Sequence, residues 1–246
     1  VENVFPEIPD DIDQQRALIR AATRSRPDAL LVAVAHPSAL DDALLEAQAA
    51  NIPLVFPVSG SYAVTPVTMV SSDNVALARA VAERLFADMA DGGDVVILDG
   101  NPNSPNSAPR TEGFLAAVAE HPDIRVVDRR DGRYMYDDGL REMRAALDAH
   151  PEVDGVLAAN DFMALGALDA LAERGRTAPV VGVNAMPDAI AAIKAGRLLA
   201  TSSFDAMKMA SVAAEAAYRT LEGETVPARI ELPVDVVDAA NCDSWD

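Results

Sequence analysis

Along the chain, short apolar runs alternate with helical stretches almost to the end. The runs are DALLVAV (28–34), IPLVFPV (52–58), VTMVSS (67–72), DVVILDG (94–100), IRVVD (124–128), VDGVLAA (153–159), PVVGVN (179–184), LLATSS (198–203) and RIELPVDVVD (229–238). Most are continuous rather than alternating, as strands are when both faces of a parallel sheet are covered. Between them the pattern predicts helices near 10–25, 38–49, 74–91, 108–120, 137–149, 162–174, 187–195 and 205–222. Pro187 and Asp188 open one of these and Gly196 closes it, the usual start and stop chemistry. Such alternation predicts a doubly wound α/β fold. A length of 246 residues favours two lobes over one.

In open α/β sheets, ligands bind beyond the carboxyl ends of strands. That edge collects Ser59 to Tyr62, then Asn101, Asn103, Ser104, Asn106 and Arg110. Farther along come Tyr134 and Tyr136, the adjacent Asn160 and Asp161, Asn184, and Phe204 with Asp205. His36 follows a strand and faces the same edge, with a simple turn before Pro37 as its other reading. A weak repeat, VAEHPDIRVV against LDAHPEVDGVL, puts His121 and His150 where helices hand over to strands, at the opposite edge. The stretch GVLAANDFMALGAL (155–168) poses the sharpest question, because nothing local needs two polar side chains after a buried strand. Capping a helix, serving a catalyst and holding a ligand are all open to them.

Composition narrows the chemistry. The formal charge of -19, from 39 acidic against 20 basic residues, repels phosphate backbones, so no nucleic-acid partner is expected. Cys242 is the only cysteine and three histidines are scattered, so neither a disulfide nor a metal site is expected. No nucleophile elbow, phosphate loop or dinucleotide turn occurs, and no cofactor or catalytic residue is predicted. No apolar run reaches the ~18 residues of a membrane span. The residues at the productive edge instead suit a neutral polyhydroxylated molecule. Amides both donate and accept, Arg offers a planar fork of donors, and rings cover C–H surfaces.

The ordered set QQRALIRAATRSRPDALLVAV, ANIPLVF, SSDN, RTEGFLAAVAEHPDI, AHPEVDGVLAANDFMALGAL, VVGVNAMPDAIAAIKAGRLLATSS and LPVDVV resembles the type I periplasmic binding proteins, in particular their ribose/galactose-binding class. The resemblance spans nearly the whole chain. It implies two Rossmann-like lobes joined by three crossovers, with a sugar or polyol in the cleft. Asn160 falls on the family's sugar-binding Asn, Arg110 on a sugar-contacting Arg, and Ser104 and Asn106 on a His and an Asp of the galactose-binding branch. Tyr134 falls on the stacking aromatic, Asn184 on a position usually Asp, and Phe204 on one usually Gln or Asn. Asn103, Asp205 and His36 complete the expected ligand set. Each has a plain structural alternative: a cap for Asn160, a surface helix position for Arg110, a loop aromatic for Tyr134, packing for Phe204.

Departures matter as well. The family's Asp after IPVV is replaced by Val58 and Ser59. Together with Asn184 and Phe204, this removes groups that grip hydroxyls, which favours a polyol, a deoxy sugar or an amphipathic sugar derivative. The first strand and helix of lobe one are expected to be missing from the chain, which starts at what resembles the second strand. The expected lobes are 1–91 plus 205–228 and 92–204 plus 229–246. Of the polar pair, Asn160 is expected to reach the ligand and Asp161 to cap the helix. The function implied is capture of a sugar or polyol by hinge closure and delivery to the permease of an ABC importer, by a periplasmic monomer. The effector domain of a Lac-repressor-type regulator and an extracytoplasmic sugar sensor share the architecture.

Overall fold

The order of strands and helices follows the apolar runs closely. In the computed structural model, which describes residues 2–8 and 11–245, the chain divides into two units. Unit one is formed by Val1–Ser72, Asn103–Pro105 and Asp205–Pro233, and unit two by Asp73–Pro102, Asn106–Phe204 and Val234–Asp246.

Unit one contains α1 (Ile12–Ser25), β1 (Leu30–Leu31), α2 (Asp41–Ala49), β2 (Leu54–Pro57) and β3 (Thr68–Ser72), and later α8 (Ala206–Leu221) and β9 (Arg229–Leu232). The four strands pair in parallel in the order β1-β2-β3-β9. Every residue of β2 is buried, as a strand covered on both faces should be. Val34, Leu40, Ala43, Leu44, Leu54 and Phe56 form the core on one side, while α8 packs on β2 and β3.

Unit two contains α3 (Asn74–Asp88), β4 (Gly93–Asp99), α4 (Ser107–Glu120), β5 (Ile124–Asp131), α5 (Tyr136–Ala149), β6 (Gly155–Ala158), α6 (Asp161–Glu173), β7 (Val180–Asn184), α7 (Pro187–Lys194), β8 (Ala200–Ser203) and β10 (Val236–Asp238). Its six strands lie in the order β10-β8-β7-β6-β4-β5, all parallel except β10, which runs against β8. The charged end of β5, Arg129 to Asp131, is tolerated because β5 is an edge strand. Helix α6 is apolar around most of its circumference, with Met163, Ala164, Ala167, Ala170 and Leu171 all buried. It packs on α5 as well as on the sheet.

Two expectations about the division of the chain are corrected. The run 229–238 is not one strand: it breaks at Pro233, which has no N–H to continue a ladder. The part before the break, β9, pairs with β3 in unit one, and the part after it, β10, pairs with β8 in unit two. The stretch 74–91, assigned to the first lobe, yields α3, which packs on α4, β7 and β8 of unit two. Gly113 permits this, because a Cβ there would fall on the Val75 carbonyl oxygen of α3. The expectation about a segment before the chain start concerns residues outside those described.

Candidate functional site

Each strand of unit two ends where a helix or turn begins, and there the sequence places its polar residues. Asn160 and Asp161 follow β6. Asn160 is the N-cap of α6: its Oδ1 accepts from Met163 N–H at 3.0 Å, while its Nδ2 donates to the Tyr134 carbonyl at 2.9 Å. Asp161 does not cap the helix, contrary to expectation. It is fully buried as the first helical residue, and its oxygens accept from the Thr201 hydroxyl at 2.6 Å and Met186 N–H at 2.8 Å. Gly182 of β7 makes room for it, since a Cβ there would overlap the carboxylate. Burial raises the pKa of Asp161 to about 6, although Met186 N–H, the Thr201 hydroxyl and the Arg110 charge all favour the ionised form.

The same division of labour appears at the start of α3. Asp73 caps that helix, accepting from Val75 and Ala76 N–H at 3.0 Å each. Asn74 then turns sideways: its Oδ1 accepts from Arg110 Nε at 2.9 Å and its Nδ2 donates to Asn106 Oδ1 at 3.3 Å. In both pairs of adjacent Asp and Asn residues, the first member caps and the second reaches across the sheet edge. Asn74 and Thr201 were not among the expected site residues. The Asp-Asn pair in SSDN, matching the Asn-Asp pair at 160 and 161, was the available signal for Asn74.

Arg110, on the second turn of α4, is the hub. Only 3% exposed, it also donates to the Ala159 carbonyl and, from Nη2, to Asn184 Oδ1 at 3.1 Å. Its guanidinium carbon lies 4.9 Å from the Phe204 ring centroid and 5.6 Å from that of Tyr134, within cation–π range. Desolvation lowers its pKa, and the charges of Tyr134 and Asp161 act in the opposite direction. A surface role for Arg110 is thus excluded.

Backbone strain marks the same edge. Tyr134 has φ of 65°, while Asn184 and Ala185 have 127° and 52° in succession. The latter turn presents Asn184 to Arg110 and brings Ala185 N–H to the Thr201 hydroxyl at 3.2 Å. Such conformations persist only where neighbours enforce them, and they concentrate at ligand sites.

The other expected residues have contacts of their own. Asn106 meets Asn74, while Ser104 and Asn103 belong to the preceding turn and are half-buried and exposed respectively. Asp205 is the exposed N-cap of α8, accepting from Lys208 N–H at 2.7 Å. His36 uses Nδ1 to accept from Ser38 and Ala39 N–H at 3.2 and 3.1 Å, so that nitrogen serves the turn before α2. A cavity of about 670 Å³ in unit two, bordered by Asp99, Thr111, Glu112, Arg129 and Asp131, involves none of the expected residues. Its volume alone gives it no claim over the converging network.

A parallel α/β unit with a strained, amide-rich strand edge is the mark of a small-molecule binding protein rather than of a scaffold. The sequence matches the periplasmic binding protein domain family over residues 1–225, and the chain belongs to that family. It is 29% identical to the xylitol-binding protein of Mycolicibacterium smegmatis, over all of this chain and 70% of that one. It is 33% identical to the ribose import binding protein of Escherichia coli, over 84% of this chain and 69% of that one. Among solved structures, an ABC transporter periplasmic solute-binding protein from Actinobacillus succinogenes with bound D-allose matches with a TM-score of 0.94 at 26% identity. That match covers 100% of this chain and 88% of the other.

Proposed function

We propose that this protein is a periplasmic solute-binding protein. It captures a sugar, polyol or sugar derivative by hinge closure and delivers it to the membrane permease of an ABC importer. The observation that carries this reading is the convergence of Arg110, Asn74, Asn160, Asn184, Tyr134 and Phe204 at one strand edge. These groups donate, accept and stack, as hydroxyl-bearing rings and chains require. Relatives named for xylitol and ribose, and a neighbour holding D-allose, support the solute class. Binding without catalysis is favoured by Asp161, whose two oxygens are committed to Thr201 and Met186 rather than poised to move a proton. The charge of -19 disfavours nucleic acid as a partner. The protein is expected to act as a monomer.

A thermal-shift screen tests this reading, starting with xylitol, ribose and D-allose, since a ligand of the native state raises its melting point. With a ligand in hand, Arg110→Ala should weaken binding by about 1.5 to 3 kcal/mol, roughly tenfold to a hundredfold. Unchanged affinity in calorimetry would remove Arg110 from the site.

A further inference from the structure

Arg110 is the only buried cation among the described residues, and its hydrogen-bond acceptors are all neutral: Asn74 Oδ1, the Ala159 carbonyl and Asn184 Oδ1. Buried charges are as a rule paired, because desolvation is otherwise uncompensated. Even partly exposed arginines of unit two have a carboxylate partner, as Arg129 has in Asp99 at 2.9 Å and Arg84 in Asp238 at 2.9 Å. Asp161 acts on Arg110 only through space, its oxygens being turned to Thr201 and Met186. The aspartates at neighbouring helix starts, Asp73 and Asp205, accept from their own helices.

The geometry points to a ligand that brings the missing negative charge itself: a polyhydroxylated carboxylate of the aldonate type, its carboxylate paired with Arg110. The inference rests on the reading that this protein captures a sugar-like solute, and it narrows that class. Three of the five guanidinium N–H groups are engaged, leaving one on each terminal nitrogen. Two donors on one rigid plane suit the two oxygens of a carboxylate, and such charge-assisted bonds are about twice as strong as those to a neutral hydroxyl. The Tyr134 and Phe204 rings supply partial compensation through their π faces. The net charge of -19 opposes an anion during approach, but it is spread over the chain and screened within about 8 Å by physiological salt.

The test is calorimetry at neutral pH with matched pairs: xylitol and D-xylonate, ribitol and D-ribonate, D-allose and D-allonate. At least one acid should bind tenfold or more tightly than its neutral partner. Arg110→Gln should abolish the preference. Asn184→Asp, which sets a carboxylate against Nη2, should reverse it while leaving the fold intact. If neutral members bind as tightly as the acids or more so, the charged-ligand inference falls and the sugar-binding reading stands. If none of the six binds, both fall.

Discussion

The two units share a parallel sheet flanked by helices, yet they treat polar residues at the strand ends differently. In unit one these groups are satisfied mainly by nearby backbone: His36 by the amides of Ser38 and Ala39, and the Ser61 hydroxyl by accepting from Ala63 and Val64, although it also donates to the Asp41 carboxylate of α2 at 2.5 Å. Ser59 reaches farther, donating to the Val34 carbonyl at 2.8 Å, but to a backbone group only. In unit two the bonds run between side chains of different elements, with α3, α4, α6, β7 and β8 contributing Asn74, Arg110, Asp161, Asn184 and Thr201. A turn that satisfies itself can lose a member cheaply, because water replaces it. A buried network cannot, because each lost member strands its partners. Unit two therefore carries the more vulnerable set of strand-end polar groups, and substitutions should expose that asymmetry.

The largest effect is expected at Asp161. Asp161→Ala strips the acceptors from the buried Thr201 hydroxyl and from Met186 N–H and leaves a void. It should cost about 3 to 5 kcal/mol in denaturant unfolding. Asp161→Asn should cost about 1 kcal/mol or less at neutral pH, since the amide oxygen can serve Met186 and the Thr201 hydroxyl can turn to accept from the amide nitrogen. The pair also separates in pH. The native pKa of about 6 lies above the ordinary aspartate value of 3.8, so between these values the folded state holds a proton that the unfolded chain has released. The associated stabilisation is complete below about pH 4 and is lost as pH rises through about 6, an amount of about 3 kcal/mol. Asp161→Asn removes this slope. Stability profiles of the two proteins that run parallel from pH 4 to 6.5 would show that Asp161 titrates normally.

Much of this architecture was legible in the sequence, for a physical reason. Buried parallel strands must be continuously apolar, and helix starts need a capping residue, so runs such as VDGVLAA followed by Asn160 announce their own form. What the pattern could not convey is which sheet an element joins. Helix α3 and strand β9 look the same from either side of a boundary, and their allegiance is decided by contacts distant in sequence. The site divides likewise. Arg110, Asn160 and Asn184 stood out by position and by family resemblance, but the second member of each Asp and Asn pair has a role set by what packs across from it. Asn74 was therefore missed and Asp161 given the wrong task.

Gly113 tests the contact that binds α3 to unit two. A methyl group there would collide with the Val75 carbonyl and lie 2.9 Å from the Ala78 side chain, both on α3. Backbone cannot swing aside as a long side chain does, so the helices must separate, and Gly113→Ala should cost about 1 to 3 kcal/mol. Because Asn74 sits on the first turn of the displaced helix, ligand affinity should fall with stability. A stable Gly113→Ala protein with normal affinity would mean that α3 can move without disturbing Asn74 and Arg110.

The smallest effect belongs to His36, and it sharpens the comparison from the side of unit one. Its Nδ1 accepts two amides in the manner of a cap, at a half-buried position where water can take over. His36→Ala should therefore cost only about 0.5 to 1 kcal/mol. His36→Asn, which keeps a short acceptor for the same amides, should restore most of that loss. If ligand affinity is unchanged in both variants, the ring serves the turn alone. If instead affinity drops tenfold in both while stability follows the expected order, the imidazole contributes a contact that asparagine cannot replace. Unit one would then hold a ligand group of its own, and the asymmetry between the units would lie in how their polar residues are supported rather than in whether they meet the solute.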